Sequence, residues 1–264
     1  MTTEAPIQEA ATQNDHERRF GGLNRLYGSG TQIMLRDTRV AVVGVGGVGS
    51  WAVEALTRSG IGNITLIDFD QVAVSNINRQ IHALDSTLGK AKVDALRERI
   101  RDINQHCTVT AIEEFLTEEN VHHMVPHGMF DVVIDACDNA RAKAALIAHT
   151  QTNGTKVIVC GAAGGKSNPL NLRMSDLGHT IHDVLLSRVR KLLRKKFQIP
   201  VEKKGKFGVT CIYSAEPSRR STSCTAHDLN CAGYGSVVTV TASMGFAAAS
   251  ACLDHIVTSR KLTA

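Results

Sequence analysis

The chain has 264 residues, 43% of them apolar and 21% charged. It can therefore bury an α/β core of ordinary size, and global disorder is excluded. A net charge of +5 is too mild over this length to mark the whole chain as a polyanion binder. Seven cysteines at irregular spacing, with no Cys-x-x-Cys, argue against a disulfide framework and a four-thiolate zinc site, and fit a reducing, cytoplasmic compartment.

Residues 1–17 are polar, lack an apolar run, and read as a disordered tail rather than a secretory signal. RVAVV at 39–43 is a buried parallel strand running into glycines. A helical period follows over 48–59, then a second strand, ITLI at 64–67, closed by Asp68 and Asp70. Together these make one β-α-β unit. An amphipathic helix is predicted over 88–103, strands over 108–112 and 131–134, a helix over 140–150, and a strand, KVIVC, over 156–160. Strands alternating with helices specify an α/β, Rossmann-like doubly wound, mainly parallel sheet.

After Gly164 the pattern changes. Strands predicted over 170–174 and 209–214 bracket a basic helix, giving an antiparallel extension of the same sheet in the C-terminal half. Residues 217–232 are polar, rich in Ser and Thr, and read as a mobile loop. The stretch 229–253 carries no charge and is long enough to span a bilayer. Its Gly, Ser, Thr and Ala content favours a helix buried against the sheet, with membrane association as the lesser alternative.

Gly44, Gly46 and Gly49 form GxGxxG after a strand and before a helix. Glycines there permit a tight turn and close approach of backbone to phosphate, and the helix N-terminus offers free N–H groups. Asp68, ending the next strand, is placed to accept hydrogen bonds from ribose hydroxyls. Beyond it the chain supplies Asn76, Arg79, Gln80 and Lys92. A dinucleotide oxidoreductase has no general need for such cations. They suit a triphosphate attacked at its α-phosphate, because they neutralise charge on the departing pyrophosphate. Asp135 and Asp138 follow the fourth strand, where a carboxylate either holds Mg²⁺ on the phosphates or caps the next helix. Nine basic residues lie between Arg188 and Lys206, opposed only by Glu202. This local field suits RNA, through Arg188, Arg190, Lys191, Arg194, Lys195 and Lys196, or else marks a solvated helix.

GVGGVGS, LIDFD, SNINRQ, GKAK and DACDN together resemble the ubiquitin-activating-enzyme-like adenylyltransferases, the ThiF/MoeB group. The resemblance covers 18–165 most closely. It implies a single adenylation domain over 18–264, with an ATP-binding half (18–165) and a substrate- and tRNA-facing half (166–264). It implies ATP and Mg²⁺ as cofactors, held by Gly44, Gly46, Gly47, Gly49, Asp68, Asp70, Asn76, Arg79, Gln80, Lys92, Asp138 and Asn139. Arg79 and Lys92 would contact phosphates and Asp138 the metal. In this family an arginine of the N-terminal segment reaches the partner's ATP across a homodimer, and RFGGLNRLYG makes Arg25 the counterpart. The second half, from GGKSNPLNLRM through GKFGVTCIYSAE to NCAGYGSVV, resembles the branch acting on tRNA. There, ATP activates the carboxylate of a threonylcarbamoyl group on adenosine, which closes to a cyclic, hydantoin-type product. No zinc is expected, a monovalent cation is left open, and a cysteine-desulfurase system is a further partner by resemblance. Cys231 lies near where related activators keep a catalytic or zinc-associated cysteine. It is either a thiolate relay or a structural thiol, with Cys224 and His227 as weaker candidates.

Three alternatives remain from the residues alone. The carboxylate could be the C-terminus of a ubiquitin-like sulfur carrier, the ligand could be NAD in an oxidoreductase, or the fold could be a scaffold that keeps a nucleotide pocket.

Overall fold

The computed structural model describes residues 15–219 and 234–261. The strands are β1 (Arg39–Val43), β2 (Asn63–Ile67), β3 (Thr108–Ile112), β4 (Val132–Asp135), β5 (Lys156–Cys160), β6 (Leu172–Asp176) and β7 (Thr210–Ser214). They form a 7-stranded sheet in the order β3-β2-β1-β4-β5-β7-β6. All neighbouring pairs are parallel except β6 with β7. The expected antiparallel extension is therefore a single edge strand, since β7 still runs parallel to β5.

The helices begin with α1, described over 15–20, and continue with α2 (Gly22–Tyr27), α3 (Thr31–Arg36), α4 (Gly49–Arg58) and α5 (Lys92–Ile103). After these come α6 (Val121–Met124), α7 (Ala140–Asn153), α8 (Val184–Lys195) and α9 (Val238–Lys261). Side chains alternate across a strand, so each buried strand feeds two apolar layers. Val40, Val42, Ile64, Leu66, Val132, Ile134 and Ile158 meet α4, α5 and α9 on one face. Ala41, Val43, Val133, Val157, Val159 and Tyr213 meet α6, α7 and α8 on the other.

Helix α9 is long and apolar enough to cross a membrane, but it lies in the core. Val240, Met244, Ala248, Ala249, Cys252 and Ile256 are buried. Gly245 allows close approach to α4: a Cβ there would stand 2.5 Å from the Val48 carbonyl oxygen. The neighbouring Trp51 and Phe246 rings meet edge to face, 5.8 Å apart.

Several boundaries differ from expectation for local reasons. The polar N-terminal tail stops short of Glu17, because residues 15–17 belong to α1, where His16 is buried. Residues 1–14 and 220–233 lie outside the described residues, so most of the expected tail and loop do too. Helix α5 starts at Lys92 rather than 88. Gly89 takes φ +80°, and Val72 exchanges backbone hydrogen bonds with Gly89 and Lys90, drawing that stretch into a loop. Strand β6 starts two residues late because Asn168 caps a 3₁₀ turn over Pro169–Asn171.

Candidate nucleotide-binding site

Strand β1 lies between β2 and β4. Its C-terminal turn therefore opens at the crevice where the chain's crossovers change direction, the usual ligand position in such sheets. Gly44 takes φ +77°, and a Cβ on it would stand 2.7 Å from the Cys137 backbone. A Cβ on Gly49 would stand 1.9 Å from the Gly44 carbonyl oxygen. Only glycine fits either place, and their fit draws the turn after β1 against the turn after β4.

Asp68 leaves the end of β2 and braces this turn. One carboxylate oxygen accepts the Val45 N–H at 2.8 Å, and the other accepts the Asp70 N–H at 2.9 Å. Each oxygen keeps acceptor capacity for a sugar hydroxyl. Burial raises the Asp68 pKa, against the lowering effect of those N–H groups and of Lys92. Lys92, at the start of α5, is buried, and its ammonium donates to Asp70 at 2.7 Å.

Arg79 and Gln80 flank the glycines. The Arg79 side-chain stem would lie 3.5 Å from a Cβ on Gly47, and the Gln80 amide 3.6 Å from one on Gly46. The Arg79 guanidinium donates to the Ser75 carbonyl at 2.7 Å, while its own carbonyl accepts the Trp51 indole N–H at 2.9 Å. Asn76 is buried, and its side-chain oxygen accepts the Ala73 N–H at 3.1 Å. It fixes the loop that carries Arg79 and Gln80, so the structure gives it a scaffolding role.

The turn after β4 separates the two aspartates. Asp135 is fully buried and pairs with the equally buried Lys143 at 2.8 Å. Its paired oxygen also accepts the Cys137 N–H at 3.2 Å. Asp135 thus serves the fold through its paired oxygen and has no solvent exposure. Burial opposes the Lys143 charge, but the field and hydrogen bond of Asp135, with the neighbouring Cys137 and Cys160, together outweigh it and hold the ammonium above the usual lysine range. Asp138 is exposed, and the cap of α7 is Asn139, whose oxygen accepts the N–H groups of Arg141 and Ala142. The capping alternative for Asp138 is thereby overturned, and its carboxylate stays available at the crevice.

These residues fit a nucleoside triphosphate. The glycine cradle would be filled by any Cβ, and the buried Gln80 oxygen has no hydrogen-bond partner. A single exposed carboxylate beside a phosphate site is also how Mg²⁺ is commonly held. Among the described residues, no group of three or more His, Cys, Asp or Glu side chains gathers at one point.

The basic helix divides by function. Leu186, Val189 and Leu193 bury one face of α8. Arg190, expected to face nucleic acid, instead donates through its guanidinium to the carbonyls of Leu177 and Thr180, each at 3.1 Å, and to the Thr180 hydroxyl. It is a strut, because a half-buried guanidinium takes the nearest free acceptors. Arg194 lies over the Phe207 ring at 5.3 Å, and Lys196 pairs with Glu118. Arg188, Lys191 and Lys195 instead line a cleft of about 600 Å³ together with Asn139 and Arg141.

Several polar residues carry structure that the sequence did not disclose. Asp183 caps α8 through Leu186 and accepts the Ala162 N–H at 2.9 Å, tying α8 to the end of β5. Lys166 is buried and donates to the carbonyls of His182 and Glu216. Glu216 accepts the N–H groups of Asn168 and Ser167, which hold its carboxyl below the usual range. Asp183 directly precedes α8, and Glu216 lies two residues past β7. His82, which no motif marks, is buried, neither ring nitrogen has a partner, and desolvation lowers its pKa to about 4.

Arg25 is exposed on α2. Cys231, Cys224 and His227 lie outside the described residues. Of the described thiols, Cys107 and Cys160 are buried, and burial pushes each up to about 12.

The ThiF family model matches residues 20–263. The chain is 42% identical over 255 residues to a tRNA threonylcarbamoyladenosine dehydratase of Haemophilus influenzae, covering 95% of this chain and 97% of that one. It is 45% identical over 251 residues to the Escherichia coli protein described in the same words, with 90% and 93% covered. A crystal structure of E. coli tRNA N6-threonylcarbamoyladenosine dehydratase in complex with ATP superposes with a TM-score of 0.87, at 42% identity, over 94% of this chain and 97% of that one.

Proposed function

The chain belongs to the ThiF family, and on that premise we propose that it dehydrates N6-threonylcarbamoyladenosine in tRNA to a cyclic, hydantoin-type form, using ATP. The observation that supports this most is the crevice itself. Its glycine cradle is braced by Asp68 and flanked by Arg79, in a chain that matches a protein solved with ATP over nearly its whole length.

A carboxylate resists acyl attack because its leaving group would be oxide. Its oxygen instead attacks the α-phosphorus of ATP, the bond to pyrophosphate breaks, and an acyl-adenylate forms. Arg79 and Lys92 offset charge gathering on the pyrophosphate. The N6 nitrogen of the adenosine, at the other end of the same urea, then attacks the activated carbonyl to close a five-membered ring, loses its proton, and expels AMP. The carboxylate oxygen leaves on AMP, so the nucleoside loses one water in total. An intramolecular nucleophile has a high effective concentration, so no protein thiol is required. Asp138 would hold Mg²⁺, which supplies charge neutralisation on the phosphates. Asp68 would orient the ribose, and Lys92 would exchange its Asp70 contact for a phosphate oxygen.

Arg25, solvent-facing on α2, is assigned to the ATP of a second subunit in a homodimer, in the cytoplasm where tRNA and ATP meet. Mixing Arg25→Ala and Asp138→Ala chains tests this: recovered turnover supports the exchange, and inactivity of all mixtures refutes it.

The main test is incubation with ATP, Mg²⁺ and tRNA carrying threonylcarbamoyladenosine, followed by nucleoside mass spectrometry. Loss of one water, with AMP formed in equal amount, is expected. An unchanged nucleoside alongside pyrophosphate exchange driven by a ubiquitin-like carrier would sink the reading.

A further inference from the structure

Two cavities flank Arg188. The first is the cleft of about 600 Å³ between the start of α7 and α8, lined by Arg141, Arg188, Lys191, Lys195, Asn139 and Leu192. The second, about 520 Å³, lies at the start of α8 and shares Arg188 with His182, Asp183, Ser187, Arg190 and Tyr234. Four cations and no acid line the first cleft. Positions 188, 191 and 195 fall on one face of α8 by helical spacing, and Arg141 faces them from α7. None of the four side chains is in an ion pair with a described residue, whereas Arg190, Arg194 and Lys196 are held by Thr180, Phe207 and Glu118. Like charges crowded around one cleft repel, and such a cost is relieved by a bound polyanion.

We propose that this cleft is a phosphodiester-binding site that grips the RNA backbone immediately beyond the turn carrying Asp138, with Arg141 as a member that belongs to no basic run in the sequence. The site reads charge rather than base identity, since its lining offers cations and an apolar floor at Leu192. The shared wall at Arg188 then gives the strand a path into the second cavity, beside the ends of β5 and β7. The phosphates of ATP are held separately, by the glycine turn. This inference rests on the tRNA reading of the substrate.

The test compares wild type, the R141A/K191A/K195A variant, and a charge-matched control, R36A/R97A/R101A, on α3 and α5 across the sheet. Fluorescence anisotropy gives the affinity for tRNA between low and moderate KCl, and thermal shift gives ATP·Mg²⁺ binding. For the cleft variant the slope of log affinity against log salt should shrink by about 2 to 3, at roughly 0.7–0.9 for each phosphate no longer neutralised. Its tRNA affinity should fall on the order of 10- to 100-fold at low salt, with ATP stabilisation unchanged and the control like wild type. A wild-type slope in the cleft variant overturns the proposal, as does an equal loss in the control or a parallel loss of ATP binding. Wild type that converts tRNA while the cleft variant binds normally refutes the cleft alone. Wild type that neither binds nor converts tRNA refutes the substrate reading and the cleft with it.

Discussion

Replacing Lys143 by Met removes one half of an ion pair in which both side chains have no solvent exposure. Methionine keeps the length and fills the space, so the loss is electrostatic rather than a cavity. Asp135 would keep only the Cys137 N–H, and its second oxygen already lacks a partner. Breaking a buried pair from one side typically costs about 3–5 kcal/mol, because the remaining charge is stranded. At roughly 2–4 °C per kcal/mol for a domain of this size, the melting temperature should drop by about 6–20 °C. Trp51 is the single tryptophan and sits at the contact of α4 with α9, so its fluorescence follows unfolding. Asp135→Asn with Lys143→Met should recover much of the loss, since asparagine can still accept the Cys137 N–H and no charge is left buried. The turn carrying Asp138 hangs from this pair, so the single variant should also bind ATP more weakly. A Lys143→Met protein within about 1 kcal/mol of wild type, or single costs that simply add in the double variant, would refute the reasoning.

Gly49→Ala should abolish stabilisation by ATP·Mg²⁺ in a thermal shift, because its Cβ would stand 1.9 Å from the Gly44 carbonyl oxygen; retained stabilisation would contradict a tight phosphate turn. Asp138→Ala should fold normally, its helix being capped by Asn139, yet lose AMP formation; unchanged turnover would remove the metal assignment. His82 has a folded pKa of about 4 against 6.5 in an ordinary setting. Between those values the unfolded chain binds the proton and the folded chain does not, so stability falls as pH drops from about 6.5 toward 4. The full penalty is about 3 kcal/mol at 1.36 kcal/mol per unit. His82→Asn should flatten that stretch of the curve of melting temperature against pH; identical curves would show that His82 charges freely in the fold.

What was legible in the sequence was whatever depends on chain-local physics. RVAVV, ITLI and KVIVC are β-branched runs that only a strand buried on both faces uses well, and the strands from β1 to β5 stand where these patterns put them. Glycines at 44 and 49 were readable because only they satisfy the turn and its close contacts. The charge on α8 was equally visible. Its division was not, since Arg190 and Arg188 look alike until Thr180 and Leu177 are folded beside one of them. The same holds for the two aspartates after β4. Lys143 reaches Asp135 one helical turn into α7 and cancels its charge, while Asn139 takes the cap and leaves Asp138 exposed. Arg141 joins Lys191 and Lys195 only because α7 packs on α8. Sequence thus set the elements and the stock of chemical groups. Tertiary packing decided which groups are spent holding the fold and which face a ligand, because burial and pairing are properties of neighbours brought together from distant parts of the chain.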